Sequence, residues 1–287
     1  MLAAVVIGFG SGASILRADA TDPGVSRARL CGSAHARDTH YSHVVWIVME
    51  NNSFSDVIGS GKAPYIDSLA KRCGLATNFF AEDHPSLPNY IAMTSGSTQG
   101  VSGDGGPSAR GLPGRSLFSQ LGSNWRALQE SMRSNCQRSD SELYVVHHNP
   151  PPYYADARNE CAAKDVPLGP RPDISARFTF ITPNNCHNMH SCSVASGDAW
   201  LRGFMPKIFR THQYRSRKAV VFLTWDEGGG SQRVATLVMS PTTRPGTRSG
   251  ASFNHYSLLR TTEDLLGLPF LGKAALAQGM RRAFGLK

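Results

Sequence analysis

The chain has 287 residues, of which 40% are hydrophobic and 18% are charged, a composition typical of a globular protein with a full core. Its net charge of +9 favours anionic partners such as a phosphorylated small molecule or a phospholipid headgroup, and it is compatible with peripheral contact with an anionic membrane surface. The basic residues form no dense block interleaved with aromatic ones, so we expect no nucleic acid partner. The sequence leaves the oligomeric state open.

The first twenty residues form an apolar stretch, MLAAVVIGFGSGASILRADA, which ends in the small-residue pattern Ala18-Asp19-Ala20. This pattern is typical of the hydrophobic region and cleavage site of a secretory signal, but the usual basic start is missing. We therefore interpret residues 1–20 as a truncated signal peptide and expect a secreted protein. Residues 21–42 are predicted to be an irregular lead-in, and residues 43–287 a single domain.

Apolar runs of strand length recur along the rest of the chain and alternate with helical patterns. A run that is apolar on both faces suits a strand inside a sheet that is covered on both sides. Strands are predicted, in chain order, at residues 43–49, 143–146, 178–181, 219–223 and 234–239. Helices are predicted at residues 63–72, 90–95, 116–121 and 257–266. The alternation predicts an α/β fold, a layered sandwich with a mainly parallel central sheet flanked by helices.

The even number of cysteines is compatible with three disulfides in an exported protein. The six are Cys31, Cys73, Cys136, Cys161, Cys186 and Cys192. None lies in a CxxC pair, which argues against a zinc ribbon. Cys136 with Cys161, and Cys186 with Cys192, are plausible local bridges, but six cysteines allow about fifteen pairings and the sequence does not choose among them.

Acidic and amide side chains follow two of the predicted strands. Glu50 and Asn51 follow the first strand, and Asp226 and Glu227 follow the strand at residues 219–223. Because reactive groups in such sheets gather beyond the carboxyl ends of the strands, we expect the four side chains to lie together. Their oxygens suit a divalent cation, which could be calcium, magnesium, manganese, iron or, with histidines, zinc. Each residue taken alone also fits an ordinary loop.

The stretch HPSLPNY at residues 84–90 places a serine between two prolines. Since two prolines so close together restrict the backbone, Ser86 is either part of a tight turn or a positioned nucleophile. A helix that opens after Pro88 would turn its N-terminal N–H groups toward anions, and Asn89 could bond a phosphoryl oxygen. A serine hydroxyl bound to a metal could attack phosphorus.

Two histidines could complete such a site. His190 stands in the polar segment after the strand predicted at residues 178–181, and His255 stands at the start of an amphipathic helix. A histidine in either place could bind phosphate or protonate a leaving group, although any one histidine is more often structural.

Six segments together resemble the bacterial phosphoesterase family that includes secreted acid phosphatases and phospholipase C enzymes, within the alkaline-phosphatase-like superfamily. They are, in chain order, VVWIVMENNSFSDVIGS, APYIDSLA, HPSLPNYIAMTSGSTQG, TPN…MH…SGDAWL, TWDEGGG and NHYSLLRTTEDLLGL. The resemblance runs in consistent order from about residue 43 to about residue 268. It implies an alkaline-phosphatase-like fold and export from a bacterial cell.

The resemblance also implies roles for the candidate residues. Ser86 falls at the nucleophile position, since Ser-x-Pro-Asn looks like the Thr-x-Pro-Asn of nucleotide pyrophosphatase relatives, and Asn89 corresponds to an amide that contacts a phosphoryl oxygen. Binding of one divalent metal ion is implied for Glu50, Asn51, Asp226 and Glu227. His190 and His255 match positions near the phosphoryl group, as proton donors or as ligands of a second metal ion.

One segment departs from the family pattern. Members commonly read Asn-Asp-Met-His-Asp where this chain reads His187-Asn188-Met189-His190-Ser191. Two carboxylates are thus replaced by neutral side chains. If those acids bind or orient something, the protein differs from its relatives in metal number, pH optimum or activity.

We interpret the chain as a secreted, metal-dependent phosphoric-ester hydrolase, most simply an acid-phosphatase-like phosphomonoesterase that forms a phosphoserine. Two alternatives stay open. A phospholipase C-type phosphodiesterase would use the same core residues, and a catalytically weakened phosphate-binding homologue would account for Asn188 and Ser191.

Overall fold

The computed structural model describes residue 1, residues 30–34 and residues 39–286. The predicted signal peptide, apart from Met1, and part of the predicted lead-in lie outside the described residues. The domain boundaries therefore stay a prediction. No helix in the described part of the chain is long and apolar enough to cross a membrane.

A single mixed sheet forms the centre of the fold. Its strands are β1 His43–Met49, β2 Gly74–Phe80, β3 Trp125–Gln129, β4 Asp165–Pro167, β5 Phe178–Thr182, β6 Ala219–Trp225, β7 Arg233–Met239, β8 Thr247–Ser249 and β9 Phe253–Asn254. They run in the order β4-β3-β5-β1-β6-β7-β2-β8, with β9 paired to β2. Every pairing is parallel except those of β7 with β6 and β2. This confirms the predicted α/β fold with a mainly parallel sheet.

Helices flank this sheet. The α-helices of the described residues are α1 Phe54–Val57, α2 Pro64–Arg72, α3 Ser86–Ser95, α4 Leu117–Gln120, α5 Arg158–Lys164, α6 Val194–Phe209, α7 His212–Arg215, α8 His255–Leu266 and α9 Arg281–Phe284. Short 3₁₀ helices lie at Val146–His148, Pro151–Tyr153 and Gly272–Ala275. Helices α3 and α8 pack against each other, and α2 packs against α6. All four predicted helices are present with shifted ends, whereas α1, α5, α6, α7 and α9 were not predicted.

The central strands are apolar on both faces because both faces are covered. All residues of β6, and all of β1 after His43, are buried. Trp46 in β1 lies opposite Phe180 in β5 and Phe222 in β6. Its indole N–H donates to Thr262 Oγ1 of α8 at 3.0 Å, which satisfies the one polar atom of this buried ring.

The antiparallel direction of β7 follows from a short connection. Residues 226–232 alone join β6 to β7, which is too few for the crossover that a parallel strand would need. The chain therefore turns back at the carboxyl end of β6. That turn carries Asp226 and Glu227, and it lies at the edge of the sheet where β1 and β2 also end.

The strand predicted at residues 143–146 is wrong. Leu143 is 42% exposed, Ser141 and Tyr144 form only an isolated bridge, and a 3₁₀ helix begins at Val146. Prolines at residues 150–152 follow at once, and proline cannot donate to a strand ladder. Tyr144 and Val146 are buried instead as parts of a loop.

Three disulfides join the described cysteines. Cys136–Cys161 and Cys186–Cys192 confirm the two local pairs. The third bridge, Cys31–Cys73, ties residues 30–34 to the residue just before β2.

Candidate active site

Ser86 lies at the carboxyl edge of the sheet among oxygens from two loops. Its Oγ is 3.1 Å from Glu50 Oε2, 3.4 Å from Asn51 Oδ1 and 3.3 Å from Glu227 Oε1. Glu50, Asp226 and Glu227 are buried, and Ser86 is only 3% exposed. The structure therefore brings the predicted nucleophile and the predicted metal ligands together, while their roles stay predictions.

Helix α3 delivers Ser86 as its first residue. The helix begins four residues before the predicted start, because Pro85 serves as its N-cap and Pro88 lies in the first turn, where proline is tolerated. The N–H of Leu87 donates to Asp104 Oδ1 at 2.8 Å, and Pro88 has no N–H. Of the first three helical residues, only Ser86 can therefore offer its N–H to an anion.

Asn89 does not take the role that was expected. It is fully buried, and its Oδ1 accepts the N–H groups of Glu82 and Asp83 at 2.9 and 3.0 Å. Its Nδ2 donates to the carbonyl oxygens of Asp83 and Pro85 at 2.8 and 3.3 Å. Because both ends of the amide bond to the loop that precedes Ser86, Asn89 holds that loop and is not directed at a phosphoryl oxygen.

The loop after β1, which contains Asn51, contacts the loop after β6, which contains Asp226, through a backbone N–H group. Asn51 has φ 43°, a left-handed conformation that asparagine tolerates, and its N–H donates to Asp226 Oδ1 at 3.3 Å. Gly228 packs so closely that a Cβ would lie 1.7 Å from the carbonyl oxygen of Ser231. The glycine after the acidic pair is therefore required by packing in the turn between β6 and β7.

No Lys or Arg of the described residues forms an ion pair with the buried carboxyl groups of the site. Burial raises the pKa of Glu50 well above its usual value, and the charge of Asp226 raises that pKa further. Burial, followed by the charge of Glu227, raises the pKa of Asp226 to about 7. Burial also raises the pKa of Glu227, although contact with His84 acts in the opposite direction.

These groups fit a divalent cation. Asp226 Oδ2 is buried without a hydrogen-bond partner, and buried carboxylates that lack a countercharge are costly. Oxygen ligands of this kind suit a hard cation. The residues that would hold it are Glu50, Asn51, Asp226 and Glu227.

Elsewhere among the described residues, Cys136, Cys161 and Asp165 bring three potential ligand atoms within 4.8 Å of one another. Both cysteines are in a disulfide, so they offer no thiolate to a metal. At the candidate metal site, Ser86 Oγ lies between Glu50 and Glu227, in contact with a carboxylate oxygen of each.

The two predicted histidines lie in different surroundings. His190 is exposed, and its ring centroid is 5.9 Å from that of the buried His148, which places it at the rim of the site. His255 is fully buried, and its Nε2 lies 2.5 Å from the carbonyl oxygen of Asp226, to which it must donate. Burial lowers the pKa of His255 to about 4. A neutral ring whose only proton is held by the backbone carbonyl of Asp226 does not fit the expected proton donor. Its Nδ1 is buried without a partner among the described residues, so the role of a ligand of a second metal ion stays a prediction.

Three side chains outside the predicted set of site residues also reach the site. His148 Nε2 is 3.3 Å from Glu50 Oε2, the hydroxyl of Tyr90 donates to Glu50 Oε1, and His84 Nδ1 bonds to Glu227 Oε2. The signal for His148 was available, because His147 and His148 directly follow the apolar run at residues 143–146.

A model of the Phosphoesterase family matches residues 60–269 of the chain. The chain belongs to the Phosphoesterase family. It is 32% identical over 256 residues to a phosphatidylinositol-3-phosphatase of Mycobacterium tuberculosis, covering 85% of this chain and 83% of that protein. It is 26% identical over 265 residues to a phosphate-repressible acid phosphatase of Penicillium chrysogenum, covering 81% of this chain and 61% of that protein. The protein is therefore a phosphoric-ester hydrolase, and it spans about three fifths of this fungal relative.

Solved structures share the fold at low sequence identity. A protein of the alkaline phosphatase superfamily from Vibrio parahaemolyticus aligns with a TM-score of 0.56 at 10% identity, covering 86% of this chain and 72% of that chain. The lipoteichoic acid synthase LtaP from Listeria monocytogenes aligns with a TM-score of 0.53 at 13% identity, covering 85% and 75%. Both confirm the expected alkaline-phosphatase-like fold.

Proposed function

We propose that this phosphoesterase is an exported, metal-dependent phosphomonoesterase that acts through a phosphoserine at Ser86. The observation that carries the proposal is the position of Ser86 Oγ, within 3.1 to 3.4 Å of oxygens of Glu50, Asn51 and Glu227. A fixed hydroxyl among ligands for a hard cation suits in-line attack on phosphorus, since phosphoryl transfer depends mainly on positioning and charge neutralisation. Three disulfides and the predicted signal peptide support export.

The chain's own residues account for the covalent steps. Ser86 Oγ forms a bond to phosphorus while the bond from phosphorus to the ester oxygen breaks, and Glu227 Oε1, 3.3 Å away, accepts the hydroxyl proton. The departing alkoxide takes a proton at the rim, where His190 is exposed. Water then attacks the phosphoserine, which releases phosphate and restores Ser86. A divalent cation held by Glu50, Asn51, Asp226 and Glu227 would supply the positive charge that offsets the charge of the phosphoryl group.

The substrate class is a phosphomonoester, on a small molecule or on a lipid headgroup. The support is that both relatives bear the names of phosphatases, one of them for a phosphorylated inositol lipid. The net charge of +9 suits either kind of anionic substrate.

Replacement of the nucleophile tests the proposal. We expect Ser86→Ala to lower kcat on p-nitrophenyl phosphate by about 10³-fold or more, after chelation and re-addition of a divalent metal. Ser95→Ala is a matched control in the same helix, where the hydroxyl donates to the backbone carbonyl oxygens of residues 91 and 97, and it should keep wild-type kcat. Near-normal turnover by Ser86→Ala would remove the nucleophile assignment.

Two further results would redirect the assignment. Faster cleavage of bis(p-nitrophenyl) phosphate than of the monoester would favour the phospholipase C-type alternative. Binding of inorganic phosphate without cleavage of either ester, whichever divalent metal is supplied, would favour the phosphate-binding homologue.

A further inference from the structure

Asn188 stands at one of the two positions where the family commonly has a carboxylate, and its amide joins two partners. The side chain is fully buried. Its Oδ1 accepts the backbone N–H of His190 at 2.9 Å, and its Nδ2 lies 3.5 Å from Nδ1 of His148. Asn188 is fixed in turn by its own carbonyl oxygen, which accepts the N–H of Glu50 at 2.9 Å.

These contacts settle which way the amide points. A backbone N–H can only donate, so the oxygen of the Asn188 amide must face His190 and its NH₂ group must face His148. The left-handed backbone of Met189, with φ 81°, lies between the two residues and forms the turn that makes the contact. Since an amide NH₂ group can only donate, Nδ1 of His148 must present its lone pair.

The proton of His148 is therefore on Nε2, because a neutral imidazole carries one proton and Nδ1 has none. Nε2 is buried and has no hydrogen-bond partner in the described residues, although Glu50 Oε2 is 3.3 Å away. The ring is held from the side by Tyr90, whose ring stacks on it at a centroid distance of 5.5 Å and an angle of 24°. Buried N–H groups normally have a hydrogen-bond acceptor, and this one has none among the described residues. An oxygen atom of the substrate could supply the missing acceptor.

We propose that His148 is a catalytic residue whose Nε2–H donates to a phosphoryl oxygen, and that Asn188 is the positioning residue that keeps the proton on Nε2. The inference rests on the proposed function of the same site. An aspartate at position 188 would instead accept a proton from Nδ1 and leave Nε2 with a bare lone pair, which is a cation ligand. The amide at position 188 thus makes His148 a hydrogen-bond donor.

Nuclear magnetic resonance of the full-length protein with ¹⁵N-labelled histidine tests the tautomer directly. Long-range ¹H–¹⁵N correlation shows which ring nitrogen carries the proton, and the signal missing in His148→Gln assigns the residue. We expect the proton on Nε2 in the wild type and on Nδ1 in Asn188→Asp. Asn185→Asp adds the same charge to the same loop, where the side chain bonds to Ser191 Oγ, and should leave the proton on Nε2. A proton on Nδ1 in the wild type would overturn the inference.

Titration with inorganic phosphate tests the donor role. The Nε2–H signal of His148 should shift as phosphate binds, and a signal that stays constant through saturation would overturn the role. We expect His148→Ala to lower kcat by about 10²- to 10³-fold, as for other single donors to a phosphoryl or oxyanion group, and His148→Gln, which retains an N–H donor, to recover part of the loss.

The two proposals fail in different ways. If Ser86→Ala keeps its activity, the phosphoserine mechanism falls, whereas the tautomer measured in the wild type is unaffected. If Ser86 proves essential but Nδ1 of His148 carries the proton, only the present inference falls.

Discussion

Glu50 is the side chain on which the contacts of the site converge. Tyr90 donates its hydroxyl to Oε1, while Ser86 Oγ and His148 Nε2 lie within 3.3 Å of Oε2. Ser86 and Tyr90 are four residues apart in α3 and therefore on the same face of that helix. A single helix thus positions both the nucleophile and the donor that orients its acidic neighbour.

Loss of the Tyr90 hydroxyl should weaken cation binding. Tyr90→Phe removes the buried donor to Glu50 Oε1, so we expect the Kd for Mg²⁺ or Mn²⁺ to rise by about 10- to 100-fold in isothermal titration calorimetry. Tyr154→Phe is the control, because this buried hydroxyl bonds to Thr94 and to the carbonyl oxygen of Ile91. Equal cation affinity in wild type and Tyr90→Phe would contradict a contribution of this hydrogen bond to cation binding.

Cation binding should also depend on the protonation of Asp226. Its pKa is raised to about 7, and a carboxyl must lose its proton to bind a cation. Affinity should therefore be fully developed above pH 7 and should fall as the pH is lowered through this value, by about tenfold per pH unit for each proton taken up. Calorimetry at several pH values measures the slope, and a flat profile between pH 8 and pH 6 would contradict it.

Among the larger elements, helix α6 supports the loop that contains Asn188. Gly197 of α6 faces this loop, and a Cβ there would lie 2.4 Å from Cγ of Met189 and 2.8 Å from the carbonyl oxygen of His187. The loop can pack this closely only because position 197 has no side chain.

Two glycine substitutions in α6 should therefore have opposite effects. Gly197→Ala should destabilise the protein by about 1–3 kcal/mol through overpacking and lower kcat by displacing Asn188. Gly203→Ala, on the same helix with nothing within 4 Å of its Cβ, should stabilise the protein by about 0.5–1 kcal/mol and leave kcat unchanged. Urea unfolding and steady-state kinetics give both numbers, and equal effects would exclude a specific contact with the loop.

The sequence predicts those elements whose environment is uniform along their length. The strands at residues 43–49, 178–182, 219–225 and 233–239 are buried almost throughout, so their apolar runs identify them. Strand β2 was missed because it is half-buried at Thr77 and Asn78 and exposed at Phe80, which interrupts its apolar pattern.

The acidic part of the site could be predicted because each of its residues directly follows a buried strand. The roles of Asn89 and His255 could not, since they depend on which partners each side chain meets in three dimensions. His148 follows the apolar run at residues 143–146, but that run forms a loop and not the predicted strand, so the contact with Glu50 depends on how the loop folds.

The stability of the whole molecule should depend on pH through a buried carboxyl group outside the candidate site, that of Asp165. Asp165 is fully buried, and its Oδ2 accepts Nδ2 of Asn149 at 2.7 Å, while its Oδ1 has no partner. Burial raises the pKa of Asp165 to about 8. The folded protein thus keeps a proton that the unfolded chain loses near pH 4, and the free energy of unfolding should fall as the pH rises from about 4 to about 8.

Asp165→Asn should remove this contribution, because an amide oxygen can accept from Asn149 without a charge. We expect the variant and the wild type to be equally stable near pH 4, and the variant to be more stable by about 1–3 kcal/mol at pH 8. The exposed Glu142→Gln should change stability by no more than about 0.5 kcal/mol at either pH. Denaturant unfolding at the two pH values measures the difference, and a variant less stable than the wild type at pH 8 would contradict the expected sign.

The antiparallel direction of β7 also determines where a tether or a fusion partner would lie relative to the candidate site. The loop after β7 lies at the amino edge of the sheet, where it binds Ala34 through the carbonyl oxygen of Pro241 and the carbonyl oxygen of Phe284 through Thr243. Strand β6 has seven residues, so this edge is about 23 Å from the acidic turn. A tether or a fusion partner joined near Ala34 or Phe284 would therefore lie at the opposite edge of the sheet from Ser86.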